Sequence, residues 1–257
     1  MGAFDGKVAF VTGAPSGIGR ATAIAFARAG ASVGVCGRRR AEVEDTCSAA
    51  VAAGGRALPL LADIGDQDQV RAVFATLDQT FGRLDVAANC AGVDFNAAFL
   101  DYTAADFDRI FAANVKGLFL CLQQEILAMR RHGEGGAVVT VGSAAGHRPY
   151  PGNNLYNASK STASMLTRSV AVECGPLGIR VNEVAPGPVL TPMLEGYMAR
   201  ETAAGRAMTA ERLAAAVPLR RVASPEDIAD VILFLCSPQA ASITGAVLAA
   251  DGGFVLA

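Results

Sequence analysis

Val8-Ala9-Phe10-Val11-Thr12-Gly13-Ala14-Pro15-Ser16-Gly17-Ile18-Gly19 is the stretch whose reading decides the fold. Val8–Val11 is a short apolar run, Thr12–Gly19 is a glycine-rich turn, and Gly17–Ala29 places Ile18, Ala21, Ala25 and Phe26 near one face of a helix. Glycines let such a turn close tightly and approach a pyrophosphate. The helix that follows offers free N–H groups and the positive end of its dipole. The spacing here is G-x-x-x-G-x-G, not the general G-x-G-x-x-G fingerprint. An ordinary strand-to-helix turn can also be glycine-rich. Its position after the first strand makes nucleotide binding the better reading.

Outward from that unit, short apolar runs alternate with helical patterns. The expected strands are Val8–Val11, Ser32–Cys36, Ala57–Leu61, Asp85–Ala88, Ala137–Val141, Arg180–Val184 and Ala246–Ala249. Each is bounded by Gly, Pro, Asp or Asn, and such runs suit parallel strands buried on both faces. Helices are expected over Ala41–Ala53, Asp66–Thr80, Ala104–Arg131, Leu155–Cys174 and Pro225–Cys236, the last capped by Ser224. The alternation predicts a doubly wound α/β fold with helices on both faces of a parallel sheet. No linker or repeat divides residues 1–257, so one domain is expected. Residues 186–217 are read as a loop-plus-helix excursion over a site.

Bulk composition agrees. The chain has 257 residues, 52% of them hydrophobic and 18% charged, with a net charge of −2. That is enough apolar material for a sizeable core, and it lacks the marks of disorder. No basic excess points to nucleic acid and no basic amphipathic stretch to a membrane surface. Residues 1–10 do not read as a signal peptide, and no run of 18 apolar residues free of charge or turn signals predicts a membrane span. Cys36, Cys47, Cys90, Cys121, Cys174 and Cys236 form no C-x-x-C pair, as expected of reduced thiols in a cytoplasmic protein.

The end of the second strand bears on which nucleotide binds. An acidic residue there accepts hydrogen bonds from a ribose 2′-hydroxyl, whereas an Arg accommodates a 2′-phosphate. The chain reads Val35-Cys36-Gly37-Arg38-Arg39-Arg40, with no carboxylate before Glu42. Arg38 and Arg39 are candidate phosphate clamps, so NADP(H) is expected over NAD(H), which stays open as the alternative.

Two further elements carry reactive groups. Tyr156-Asn157-Ala158-Ser159-Lys160 puts a phenol and an ammonium at i and i+4 on one helix face. Val141-Gly142-Ser143 ends the fifth strand, where ligands of open α/β sheets bind. A cation beside a phenol favours the phenolate, so Tyr156 is a candidate for proton exchange with an alcohol or carbonyl oxygen that Ser143 orients. A lone Tyr/Lys pair on a helix is common by chance.

Taken together, Thr12–Gly19, Asn89-Cys90-Ala91-Gly92, Asn114, Ser143, Tyr156-x-x-x-Lys160 and Pro186-Gly187 resemble the short-chain dehydrogenase/reductase family, in its order and over essentially the whole chain. The resemblance implies a Rossmann-type domain with a seven-stranded parallel sheet and hydride transfer between a nicotinamide cofactor and an alcohol/carbonyl pair. It implies Ser143, Tyr156 and Lys160 as catalytic, with Asn114 holding a water that relays protons from Lys160. For the cofactor it implies contacts from Gly13, Ser16, Gly17, Ile18, Gly19, Arg38, Arg39, Asp63, Ile64, Asn89, Ala91, Gly92, Pro186, Gly187, Val189 and Thr191, besides Tyr156 and Lys160. Among these, Asp63 would meet the adenine amino group and Asn89 and Gly92 the adenosine floor. Cys90 and Pro15 depart from the commonest pattern at places where backbone does the work. The wider Tyr-to-Lys spacing of the enoyl reductases is absent, which argues against double-bond reduction. Members are mostly homotetramers or homodimers paired through long helices, and the apolar tail Phe254–Ala257 suits such a contact.

Other readings stay open. A fold of this kind can serve as a nucleotide sensor without turnover. His132 suits a helix C-terminus. His147 is read as a loop residue or a pocket residue. Asp85, Asp94, Asp101 and Asp106 are read as local hydrogen-bonding groups, with no metal expected. Met193, Leu194, Tyr197, Met198 and Met208 either pack on the sheet or close over a substrate. Val93, Asp94, Phe95, Ala144, Ala145, His147 and Tyr150 are candidate substrate-pocket residues by position alone.

Overall fold

The computed structural model describes residues 2–257. Seven strands form one sheet, all pairs parallel: β1 (Val8–Thr12), β2 (Ser32–Gly37), β3 (Arg56–Leu61), β4 (Val86–Asn89), β5 (Gly136–Val141), β6 (Ile179–Pro186) and β7 (Val247–Ala250). Their spatial order is β3-β2-β1-β4-β5-β6-β7. The chain builds outward from β1 in one direction, then restarts from β4 in the other. Two neighbouring strands with oppositely directed crossovers leave a crevice at their carboxyl ends, the site-forming position in this fold.

Helices α1 (Gly17–Arg28), α2 (Arg40–Ala52) and α9 (Pro225–Cys236) cover one face; α3 (Gln67–Phe81), α5 (Gly117–His132) and α6 (Asn154–Cys174) cover the other. The first face is closed by Ala23, Phe26, Val43, Ile228, Ile232 and Leu235, and the second by Phe74, Leu77, Leu118, Leu122, Met129 and Ala163. Burying those side chains drives the assembly. Local signals set the helix ends. Asp66 caps α3 by accepting from the N–H groups of Asp68 and Gln69, and Ser224 and Asp227 form a reciprocal cap on α9 with Pro225 in its first turn.

The strands differ from the sequence reading at the edges. β1, β2, β4, β5 and β6 are buried almost throughout, but β3 and β7 are half-exposed. β3 also carries Pro59, which an edge strand tolerates because one side of it needs no ladder partner.

The long helix expected over Ala104–Arg131 is interrupted. α4 (Ala104–Phe111) runs into a π-helical turn at Ala112–Lys116 before α5 resumes at Gly117. Within that turn the Asn114 side chain donates to the Val93 carbonyl (2.9 Å) and the Ser159 hydroxyl (3.0 Å) and accepts from the Val93 N–H (2.8 Å). The extra residue in the turn points this amide at the loop after β4. Such single-turn bulges frequently mark functional places. The 104–132 stretch is long and apolar enough to cross a membrane by length and composition alone. Here its residues Leu118, Leu122 and Met129 pack under the sheet.

Glu125 of α5 is fully buried, accepting 2.9 Å from Asn89 Nδ2, while Glu125 Oε1 and Asn89 Oδ1 have no protein partner. Burial pushes its carboxyl from 4.5 up to about 8, against the Asn89 hydrogen bond. A proton on the carboxyl would supply the donor this pair lacks. The folded chain then holds a proton that the unfolded chain releases, so stability falls as pH rises from 4.5 to about 8. Glu125→Gln should flatten that part of the Tm–pH curve and raise stability at the alkaline end by on the order of 2 kcal/mol. A Tm–pH slope equal to that of the parent chain would contradict a protonated Glu125.

Candidate active site

The crevice has two connected parts. The first, about 250 Å³, is lined by Gly13, Pro15, Ser16, Gly17, Ile18 and Gly19 from the glycine turn, Gly37, Arg38 and Arg39 after β2, Asp63 and Ile64 after β3, and Ala91, Gly92 and Val93 after β4. The turn is shaped by contact. Gly13 has φ +65°, and a Cβ on it would lie 2.7 Å from the Ala91 nitrogen; one on Gly19 would lie 2.4 Å from the Gly13 carbonyl oxygen. The turn must therefore be bare backbone there, free to approach a ligand. Ser16 precedes α1 without a side-chain capping bond, which leaves first-turn N–H groups available to an anion. Pro15 packs on Gly37, where a Cβ would lie 2.3 Å from the proline ring. β2 thus ends with no side chain, and Arg38 and Arg39 come next. Arg38 pairs with Asp63 at 3.6 Å and Arg39 with Glu42 at 2.8 Å, all four side chains substantially exposed. A dinucleotide fits this cleft: bare backbone and a helix N-terminus for its pyrophosphate, two guanidinium groups for a 2′-phosphate.

The second part, about 220 Å³, shares Ile18, Cys90, Gly92, Thr191 and Met193 with the first. Ser143, Tyr156 and Lys160 all line it, with Pro186, Gly187 and Val189 opposite. β5 delivers Ser143 and α6 delivers the other two from one helix face. Lys160 Nζ donates to the Val141 carbonyl at 2.8 Å and lies 5.8 Å from the Tyr156 ring centroid. Enclosure by protein pushes the Tyr156 phenol up to about 12; the Ser143 hydroxyl opposes this and the Asp94 charge adds to it. Burial pulls Lys160 down to about 8, opposed chiefly by the charge of Glu183. In the nucleotide-free chain enclosure therefore outweighs the lowering expected from a cation alongside, and Lys160 Nζ is bonded to the Val141 carbonyl. Tyr156 is therefore a protonated phenol at neutral pH, suited to donate a proton to a carbonyl oxygen that Ser143 also contacts.

Asn114 and Asn89 lie behind the crevice wall. Neither lines the two main parts of the crevice. Both line an internal cavity of about 10 Å³ with Thr12, Thr140 and Lys160. This is close to the volume of one water probe. Asn114's side chain is fully engaged by Val93 and Ser159, so its amide clamps the Gly92–Val93 loop. Asn89 ends β4 and turns inward to Glu125, so it supports the cleft floor from behind.

Of the substrate-pocket guesses, Asp94 and Ala145 line the second part and Val93 the first; Phe95, Ala144, His147 and Tyr150 line neither. His147 instead contacts buried Glu183 at 3.1 Å. Sequence reasoning missed Asn96 and Asn153, which reach the pocket from loops. The 186–217 excursion contains α7 (Pro192–Ala203) and α8 (Ala210–Ala216), and no residue of either helix is buried. Met193, Leu194 and Tyr197 line the pocket. Met198 and Met208 do not reach it. Arg200 of α7 donates to Asp94 (3.1 Å) and Asn96 (3.3 Å), linking this cover to the loop after β4.

The aspartates read as local hydrogen-bonding groups divide. Asp106 caps α4 with Thr103. Asp85 accepts both from nearby Arg83 and from distant Lys7 and Val8, and Asp94 accepts from distant Arg200. Asp85, His132 and Glu134 lie close enough to share a cation, but at the opposite end of the strands, where Lys7 and Arg83 already neutralise the carboxylates.

Comparison with known proteins agrees with this geometry. Residues 13–255 match the family model described as enoyl-(acyl carrier protein) reductase. The chain is 36% identical to the 3-oxoacyl-(acyl-carrier-protein) reductase FabG of Thermotoga maritima, over 98% of this chain and 99% of that protein. It is 38% identical to the A-factor type gamma-butyrolactone 1′-reductase of Streptomyces virginiae, over 100% of this chain and 98% of the relative. The crystal structure of levodione reductase superposes with a TM-score of 0.95 at 34% identity, covering 99% of each chain.

Gly13→Val tests the cradle. The branched side chain would collide with Ala91, and nucleotide affinity by fluorescence titration should fall at least about a hundredfold, the scale of losing several charged hydrogen bonds. Affinity equal to that of the parent chain would show that the nucleotide binds elsewhere.

Proposed function

The chain belongs to the short-chain dehydrogenase/reductase family, and from that premise we propose that it interconverts a secondary alcohol and a ketone with NADP(H), Tyr156 carrying the proton. Family membership makes it an NAD(P)-dependent oxidoreductase acting on CH–OH and carbonyl groups of small molecules. The choice of nucleotide, the residue roles and the assembly below are our reading.

The observation that carries it is the convergence of Ser143, Tyr156 and Lys160 on one pocket continuous with the glycine-turn cleft. Bound nicotinamide would supply or accept the hydride. Ser143 fixes the carbonyl oxygen of the substrate, and Tyr156 protonates that oxygen as it becomes an alkoxide. Lys160 stabilises the phenolate left behind and returns a proton to it, and a water in the small cavity that Lys160 shares with Asn114 would resupply Lys160 from solvent. Tyr156 and Lys160 stand one helical turn apart, and Ser143 reaches the same oxygen. This arrangement favours carbonyl reduction over the double-bond reduction named by the family model. Gly13, Ser16, Gly17, Ile18, Gly19, Ala91 and Gly92 would hold the pyrophosphate and adenosine, Asp63 and Ile64 the adenine edge, and Pro186, Gly187, Val189 and Thr191 the carboxamide.

Arg38 and Arg39 support NADP(H) over NAD(H), because β2 ends in a glycine that offers no carboxylate to a ribose 2′-hydroxyl. We place residues 1–257 in one catalytic domain with α7 and α8 as its substrate cover. We further read it as a cytoplasmic homotetramer or homodimer. Six free cysteines are consistent with the former, and exposed Phe107, Phe119 and Met165 on α4, α5 and α6 with the latter.

Tyr156→Phe should lower kcat for ketone reduction by about 10²–10⁴ while nucleotide affinity stays within about twofold; undiminished turnover would remove Tyr156 from the mechanism. Arg38→Ala should raise the KM for NADPH by about 10–100-fold, the worth of a charged hydrogen bond, and leave that for NADH nearly unchanged. Equal effects on both nucleotides would favour the NAD(H) alternative.

A further inference from the structure

Glu183 is a fully buried carboxylate for which the chemistry above has no use. It lies on β6, in register with Thr140 of β5, and its side chain occupies the space over Gly142. A Cβ there would lie 1.9 Å from Glu183 Oε1 and 2.5 Å from Cδ. Oε1 contacts His147 Nε2 at 3.1 Å, and Oε2 has no hydrogen-bond partner. A buried charge with one part-exposed partner and one orphaned oxygen is costly, and a neutral side chain of that size would fill the space without the cost. Shape alone does not account for it.

Its surroundings suggest what the charge does. Gly142 separates Val141, whose carbonyl receives the Lys160 ammonium, from Ser143. His147 ends the short turn that starts at Ser143, and that turn packs on the Lys160 backbone, 3.1 Å from where a Gly146 Cβ would stand. Glu183 therefore touches the Ser143–His147 turn at both ends. We propose that Glu183, with His147, is a positioning residue for the reaction: its carboxylate braces the Ser143 turn from behind, one residue from the Val141 carbonyl that receives the Lys160 ammonium. The role in turnover rests on the oxidoreductase reading above; the charge effect on Lys160 stands without it.

The groups facing Lys160 are Glu183 from β6, Cys90 after β4 and Tyr156 from α6. Glu183 itself contacts His147 and lies over Gly142, and its charge acts on Lys160. The Cys90 thiol and the Tyr156 phenol are each held at about 12 and are neutral near pH 7. Among the described residues this leaves Glu183 as the negative charge acting on Lys160. Burial alone pulls that ammonium toward neutrality, and a neutral amine could not stabilise the Tyr156 phenolate.

The test reads Lys160 directly. The chain has three lysines, Lys7, Lys116 and Lys160, so ¹³Cε-lysine NMR of the nucleotide-free protein resolves each titration. Lys160 should titrate near pH 8 in the parent chain. In Glu183→Gln, which keeps the shape, it should titrate lower by at least about half a pH unit, with Lys7 and Lys116 unmoved. Identical Lys160 titrations would overturn the proposal. If that variant does not fold, His147→Leu and His147→Gln replace it. Leucine strips Glu183 of its one hydrogen-bond donor, releases the brace and should lower the Lys160 titration; glutamine retains a donor and should not. No difference between those two would also overturn the proposal. In ketone reduction, the alkaline limb of the kcat profile should move with Lys160, whereas a purely structural role would lower kcat equally at every pH. A chain that reduced no carbonyl would fail the oxidoreductase reading and leave the NMR result standing.

Discussion

The Lys160 ammonium is held inside the protein by the carbonyl of Val141 at 2.8 Å, and much of the site follows from where that bond is made. An ammonium removed from water needs a fixed partner. Val141 is the last residue of β5, so the bond ties α6 to the carboxyl end of the sheet. Tyr156 lies one helical turn before Lys160 and Ser143 two residues beyond Val141, so both are drawn to the same corner. Electrostatics there are set by enclosure: the phenol is pushed up to about 12 and the ammonium down to about 8. An ammonium pulled down in this way returns a proton to a phenolate beside it more readily than it would in water.

The rest of the crevice is arranged around that corner by close backbone contact. Gly13 and Gly19 bring the glycine turn against Ala91 and against itself, and Gly92 leaves room beside Asn114 and Lys160. The π turn at Ala112–Lys116 directs Asn114 to the Gly92–Val93 loop, so the wall between the two parts of the crevice is fixed from the helix side. On the outer side, α7 has no buried residue and is linked to the loop after β4 through Arg200 and Asp94.

Most of the sheet was legible because buried parallel strands are short apolar runs, and the glycine turn because its glycines are sterically required. Tyr156, Lys160 and Ser143 were legible by spacing and by position at a strand end. What was hidden depends on contacts between distant residues. Asn89 meets Glu125 and His147 meets Glu183 across 36 positions, and Arg200 meets Asp94 across 106. No periodicity announces such pairs. The π turn was hidden for a different reason: one extra residue shifts the apolar pattern of a long helix too little to break it. Pro15 looked anomalous until its packing on Gly37 explained both residues.

The central claim is that one oxygen of the substrate meets the serine hydroxyl and the phenol together, beside the nucleotide. A crystal structure of the chain with NADPH and an unreactive ketone analogue tests it most directly. The account predicts the analogue's carbonyl oxygen within about 3.2 Å of both Ser143 Oγ and Tyr156 Oη, with the nucleotide's pyrophosphate on the Gly13–Gly19 turn. An analogue whose oxygen lies against other groups, with Ser143 and Tyr156 facing away, would contradict it.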